Sequence, residues 1–442
     1  MSKTLCTRYR KSEELYDRAC EVIPGGSQTL SKRPDPGLRG IHPILFERGQ
    51  GSHVWDVDGN EFIDYVLALG PMSLGYCYPR VQEAVKKQLD KGTIFSGPHP
   101  LEMEVAEKLI EMIPCAEMVR FGKNGVDATA ALVRIARTYT GRDLIVHHGY
   151  HGWHNWYMAG RNEPGIPAAY QSLIHSFDYE DLAGLERIMD DHGDNVAIVL
   201  MEASHGTGTS PTFLEACRDI AHKHGAVFAF DEVVTGFRLA NGGAQERYGV
   251  VPDIAAFGKA MANGYPISAF LGSKEIMSAG TPMTCSMTFG GECSSLAAAS
   301  ATIDVFREEP VIEHIFAMGE RLKGSVRRAF EDAGIQLQTI GLGPMSQFNL
   351  LEKDERLKRQ MWRFLMQETA KRGVYTRPTY PKLISYSHSE EDIDHTARAF
   401  GESLALLKDA LGKGDLDDRI ETEASGEGQV IPNMRQMTGV QR

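Results

Sequence analysis

Two apolar runs end on groups that can do chemistry. "AVFAFDE" ends on Asp231 and Glu232, and "DIAAFGK" ends on Gly258 and Lys259, 28 positions after Asp231. Two further runs end comparably: "MVRFG" leads into "KNGVDATAALVRIAR", where a glycine opens a helical pattern, and "LIVHH" leads into "GYHGWH". In open α/β sheets, ligands gather at the carboxyl ends of the strands. These four strand ends offer a carboxylate, an amine, a helix N-terminus and an aromatic ring. The amine can condense with an aldehyde, and the carboxylate can keep a pyridine nitrogen protonated. Helix amides can receive a phosphate, and the ring can stack on a flat group. Together they meet the requirements of a pyridoxal phosphate (PLP) site.

The histidine cluster His147, His148, His151 and His154 raises a rival, a metal centre. No nearby carboxylate or cysteine completes a coordination set, so the run reads as a stacking turn. His147, His148 and His154 read as structural, and His151 as a contact of the ring or its water.

The elements that must position these groups follow from periodicity. Between about residues 100 and 300, short apolar runs alternate with helical patterns at 125–139, 179–191 and 212–224. That alternation predicts an α/β fold with a mainly parallel sheet covered by helices. Earlier, "SHVWDVDGNEFIDYV" reads as a β-hairpin about an Asp-Gly turn, and 12–22 and "PRVQEAVKKQL" read as helices. After about 305 a smaller α+β region follows. The division expected is an N-terminal segment (1–70) belonging to the small domain, a large domain (71–305), the rest of the small domain (306–411) and a polar tail (412–442).

Composition narrows the classes. The 442 residues are 42% hydrophobic and 24% charged, which is ordinary for globular chains. A formal charge of −12 argues against a nucleic-acid groove. Seven scattered cysteines without a CxxC pair read as reduced thiols. No secretory h-region and no membrane span are visible, so a cytoplasmic location is expected.

"FDEVVTGFR" (230–238) followed by "YGVVPDIAAFGKAMANGYPISAFLG" (248–272) resembles the class III, fold-type-I PLP-dependent aminotransferases, closest to their glutamate-1-semialdehyde aminomutase branch. "PGG", "GPMSLGY", "YHGWH", "MTFGG" and "SEEDID" extend the likeness over roughly 20–400. The resemblance implies a seven-stranded, mainly parallel sheet in the large domain. It makes Lys259 the Schiff-base lysine and Asp231 the partner of the pyridine nitrogen. Val233 and Tyr150 would flank the ring, with Gly152 also facing the cofactor. Asn124, Gly125 and the Val126 amide would hold the phosphate, and Glu202 would lie on the 3-hydroxyl side. Thr288 would reach the phosphate of a neighbouring subunit, implying a homodimer with active sites at its interface.

The chain also departs from that pattern. Asn124-Gly125-Val126 replaces the usual Ser-Gly-Thr and loses a hydroxyl contact, for which Lys123 is a candidate substitute. "TYPKLIS" (379–385) is two residues shorter than its aminomutase counterpart and carries Lys382 and no glutamate. A substrate-binding arginine is replaced by Lys32 or shifted to Arg33, and Arg377 is the candidate carboxylate clamp. These losses favour a two-substrate aminotransferase acting on a small amino donor and an oxo acceptor, with amino sugars or small amino aldehydes in view. The alternatives are the aminomutase itself and another PLP reaction, such as elimination or racemisation. A decayed, non-catalytic scaffold and a nucleotide-binding oxidoreductase suggested by "HGTGTSP" are weaker rivals.

Overall fold

A computed structural model describes residues 7–161, 163–204, 208–283, 285–378 and 380–421. Within it the chain forms two compact units, one of residues 70–73 and 78–312 and one of 7–69, 74–77 and 313–421.

The first unit is built on a seven-stranded sheet. Its strands run in the order Met118–Gly122, Ser268–Gly272, Ile254–Phe257, Val227–Asp231, Val196–Met201, Leu144–His148 and Ile174–Ser176. All neighbours pair in parallel except Ser268–Gly272, which is antiparallel to both strands beside it. The central strands are buried throughout, which is why they read as unbroken apolar runs rather than alternating ones. Ile174–Ser176 escaped the sequence reading because three residues carry too little pattern.

The helices Gly125–Thr140, Leu182–His192 and Pro211–Lys223 fall where periodicity placed them, within a few residues at each end. Local chemistry sets their limits. Asp181 accepts the Gly184 N–H at 2.9 Å to start one helix. Gly141, at φ +70°, closes another in the left-handed conformation that glycine tolerates. Ala128, Ala131, Leu132 and Ile135 of Gly125–Thr140 join Ile198, Leu200, Ala229 and Ala256 in one core.

The second unit holds a four-stranded sheet, Phe46–Gln50, His53–Asp56, Glu61–Asp64 and Val374–Tyr375, including the expected hairpin. A three-stranded sheet, Leu337–Ile340, Met345–Leu350 and Lys382–Leu383, lies in the same unit with the helices Glu355–Lys371 and Glu390–Lys413. Of the polar tail expected over 412–442, the first residues are structured. Gly414 caps the long helix, Leu416–Arg419 forms a further turn, and Leu416 and Ile420 are buried. Residues 422–442 lie outside the described residues.

Candidate active site

Parallel register aligns the strand ends. Asp231 pairs with Ala256 and His148 with Met201, so Asp231, the segment before Lys259, Glu202 and the turn after His148 emerge on one edge of the sheet.

Asp231 is buried as the last residue of its strand. One carboxylate oxygen accepts the Val233 N–H at 3.0 Å, and the other faces His151 Nδ1 at 2.8 Å. The opposite ring nitrogen, Nε2, lies 2.9 Å from the His148 carbonyl. A carbonyl only accepts, so Nε2 carries a hydrogen.

This arrangement changes the reading of the histidine run. His151 touches Asp231 and holds it in place, a link invisible across 80 positions of sequence. Its own ring is fixed by a near-parallel stack with Trp156 (6.1 Å, 18°) and an edge contact with Tyr157 (5.5 Å). Thr129 donates to the His151 carbonyl at 2.9 Å. His147 is buried and held well below the ordinary histidine range by burial first and by its histidine neighbours second. His148 Nδ1 meets the Phe177 carbonyl at 3.0 Å, and His154 precedes the short helix Asn155–Met158. No group of three His, Cys, Asp or Glu suited to a metal occurs among the described residues.

Lys259 begins a helical turn, Lys259–Ala262, two residues after the Ile254–Phe257 strand. Its φ of +42° is unusual for a residue with a side chain, and such strain concentrates at functional positions. The side chain is partly buried. Burial lowers the pKa of its amine, opposed by Glu202 and Asp231 and reinforced by Arg238. Arg238 is itself buried and donates to the Gly70 carbonyl. A lowered pKa keeps more of the amine in its nucleophilic, uncharged form. Glu202, directly after the Val196–Met201 strand, is pushed up to about 7 by burial and by the Asp231 charge. Gly149, at φ +104°, leaves room for it, since a Cβ there would lie 2.7 Å from Glu202 Oε2.

The 123–126 loop presents backbone donors. Asp127 accepts the N–H groups of Lys123 (3.0 Å) and Asn124 (2.7 Å). Gly125 and Val126 are the first two helical residues, so their N–H groups have no intrahelical acceptor and sit at the positive end of the helix. A Cβ on Gly125 would come within 2.8 Å of Val233, so the close approach of the two segments requires glycine. Lys123 does not substitute for the missing hydroxyl: its ammonium lies 3.1 Å from Glu292 and 3.2 Å from Ser295. Against the upward push of burial, Ser294, Ser295 and Lys123 hold Glu292 at about 2, a firmly ionised partner. Tyr150 is exposed, edge-on to Tyr157 at 5.6 Å. Thr288 is exposed too.

The candidate substrate residues Lys32 and Arg377 belong to the second unit. Arg377 donates to the carbonyls of Ser31 and Arg33, so its guanidinium braces the turn carrying Lys32. Two of its five donors are therefore engaged, which weakens its case as a free carboxylate clamp. Lys382 is buried with its amine 2.7 Å from the Arg377 carbonyl and 2.9 Å from that of Tyr380. Burial pushes that amine down to about 7. Lys382 thus ties the 377–380 turn from within.

An amine, an acid, two helix amides and an exposed ring share one edge of the sheet, and this donor set fits PLP. Comparison with known proteins agrees. The family model for class III aminotransferases matches residues 37–401. The chain is 35% identical over 410 residues to the 3-aminobutyryl-CoA aminotransferase of Cloacimonas acidaminovorans (strain Evry), covering 91% of this chain and 98% of that one. The FumI protein of Sphingopyxis sp. MTA144, solved in its PLP internal aldimine form, superposes with a TM-score of 0.84 at 28% identity, covering 92% and 98% of the two chains. A glutamate-1-semialdehyde aminomutase of Pseudomonas aeruginosa PAO1 shares the fold at 22% identity, with a TM-score of 0.78 and coverage of 90% and 95%. The chain belongs to the class III aminotransferases, the PLP-dependent family that its Asp231–Lys259 block resembles.

Proposed function

We propose that this aminotransferase takes its amino group from a β-amino acyl compound, free or as a coenzyme A thioester, and passes it to an oxo acid or aldehyde. The likeness to the 3-aminobutyryl-CoA enzyme favours this donor over an amino sugar. The observation that carries the site assignment is the Lys259 amine, its pKa lowered, on the same sheet edge as an Asp231 carboxylate fixed by His151 at 2.8 Å.

PLP, when bound, supplies an aldehyde for amine exchange and a ring that takes up the electrons released at the reacting carbon. Lys259 Nζ would attach the cofactor and, once freed, would move the proton to and from the substrate carbon. Asp231, held by His151 and the Val233 amide, would keep a proton on the ring nitrogen. Val233 and Tyr150 would flank the ring, Glu202 would lie on its 3-hydroxyl side, and the Gly125 and Val126 amides, with Asn124 beside them, would take the phosphate. A cytoplasmic homodimer, with Thr288 reaching the neighbouring subunit's phosphate, completes the reading.

Product release separates this from the mutase. Donor alone should yield one equivalent of oxo product per site and then stop until an oxo acceptor is added. Sustained conversion of glutamate-1-semialdehyde alone to 5-aminolevulinate would overturn it.

A further inference from the structure

A second cleft of about 340 Å³ opens on the outer face of the Gly125–Thr140 helix. That size lies at the lower end of ligand pockets. Arg134 and Arg137, three positions apart and so on one helix face, line it from one side. Trp153, His154, Trp156 and Tyr170 line it from the other. Among the described residues no acidic side chain contributes to the lining, although acids outnumber bases 59 to 47 in the chain.

Each wall invites a ligand. Arg137 donates through Nε to the Asp143 carbonyl at 2.9 Å, which fixes the guanidinium while its terminal nitrogens make no hydrogen bond among the described residues. Burial lowers its pKa, with Asp143 and Tyr170 opposing. A half-buried guanidinium that forms no ion pair among the described residues is a strong phosphate receptor, since its fork matches two oxygens at once. Trp153 is 68% exposed and Tyr170 39% exposed, leaving ring surface available for stacking. The buried Trp156 indole N–H has no partner among the described residues.

We infer that this cleft binds an adenine-nucleotide group, with Arg134 and Arg137 on the phosphate and Trp153 and Tyr170 on the purine. Trp156 is at once a wall of the cleft and the ring stacked on His151, whose Nδ1 holds Asp231. The occupant is either the nucleotide handle of a coenzyme A thioester substrate or a free nucleotide. Only the first rests on the donor proposed above.

Calorimetry on the PLP-loaded full chain, with adenosine 3′,5′-bisphosphate as probe, tests the cleft directly. Saturable binding is expected, weakened by salt, with inorganic phosphate binding more weakly. Arg134→Gln and Trp153→Ala should each reduce affinity by about tenfold. Trp153 is exposed enough for its removal to leave the fold intact. No saturation in the millimolar range, or full affinity in both variants, overturns the inference. A kinetic arm then separates the sources. A handle site predicts that Arg134→Gln raises KM for the β-aminoacyl-CoA about tenfold and leaves KM for the free β-amino acid unchanged. A free-nucleotide site predicts probe binding with both KM values unchanged. Probe binding without turnover of any β-amino donor would sink the donor proposal and leave the cleft standing. Turnover without probe binding would do the reverse.

Discussion

Two lysines of this chain sit in surroundings that lower their pKa, and the proposed chemistry gives them opposite roles. Lys259 is partly buried, faces two acids and has a left-handed backbone. Lys382 is 1% exposed, has no acid beside it among the described residues, and points at the carbonyls of its own turn over the rings of Phe348 (5.4 Å) and Trp362 (5.9 Å). Burial lowers both amines. A lowered pKa alone therefore does not mark a catalytic lysine. On the proposed reading, access and an anionic neighbour separate the amine that reacts from the strut, whose donors are already occupied.

Substitutions can break that contrast. Lys259→Ala should lower turnover on the order of 10⁴-fold, since attachment and proton transfer are lost together. Steady-state assay with a β-amino donor reads this, and residual activity within tenfold of the parent would refute the assignment. Asp231→Asn should cost about 10²–10³-fold in turnover while cofactor attachment survives, because a neutral amide no longer holds the ring proton. His151→Asn should act through Asp231 and cost about tenfold in kcat with KM little changed, the mark of a positioning residue.

Lys382→Met should leave turnover near the parent value and instead lower stability by about 1–3 kcal/mol, since the Arg377 and Tyr380 carbonyls lose their donor. Thermal unfolding measures it. The pH dependence has a definite sign. The folded amine titrates near 7, below its ordinary 10.5, so between those values the unfolded chain binds more protons and stability rises with pH. This contribution is complete above 10.5 and lost as pH falls through 7. The methionine variant should lose that rise.

The sequence displayed one half of this contrast well. Asp231 and Lys259 end unbroken apolar runs, and a parallel sheet buried on both faces produces such runs. The histidine run was read as a turn, but its link to Asp231 spans 80 positions and depends on how neighbouring strands align. The role of Lys382 was hidden because its partners are main-chain carbonyls, which leave no trace in residue identity. Lys123 shows the same limit: its neighbour Asn124 suggested a phosphate, whereas Glu292, 169 positions away, holds its charge. Arg377 likewise faces the carbonyls flanking Lys32, a contact no local pattern announces.

The distinction between the two lysines can be read on the protein itself. Borohydride reduction of the PLP-loaded chain, followed by peptide mapping, should place the pyridoxyl group on Lys259 alone, with Lys382 and Lys123 unmodified. A label on Lys382, on Lys123 or on no lysine would contradict the account.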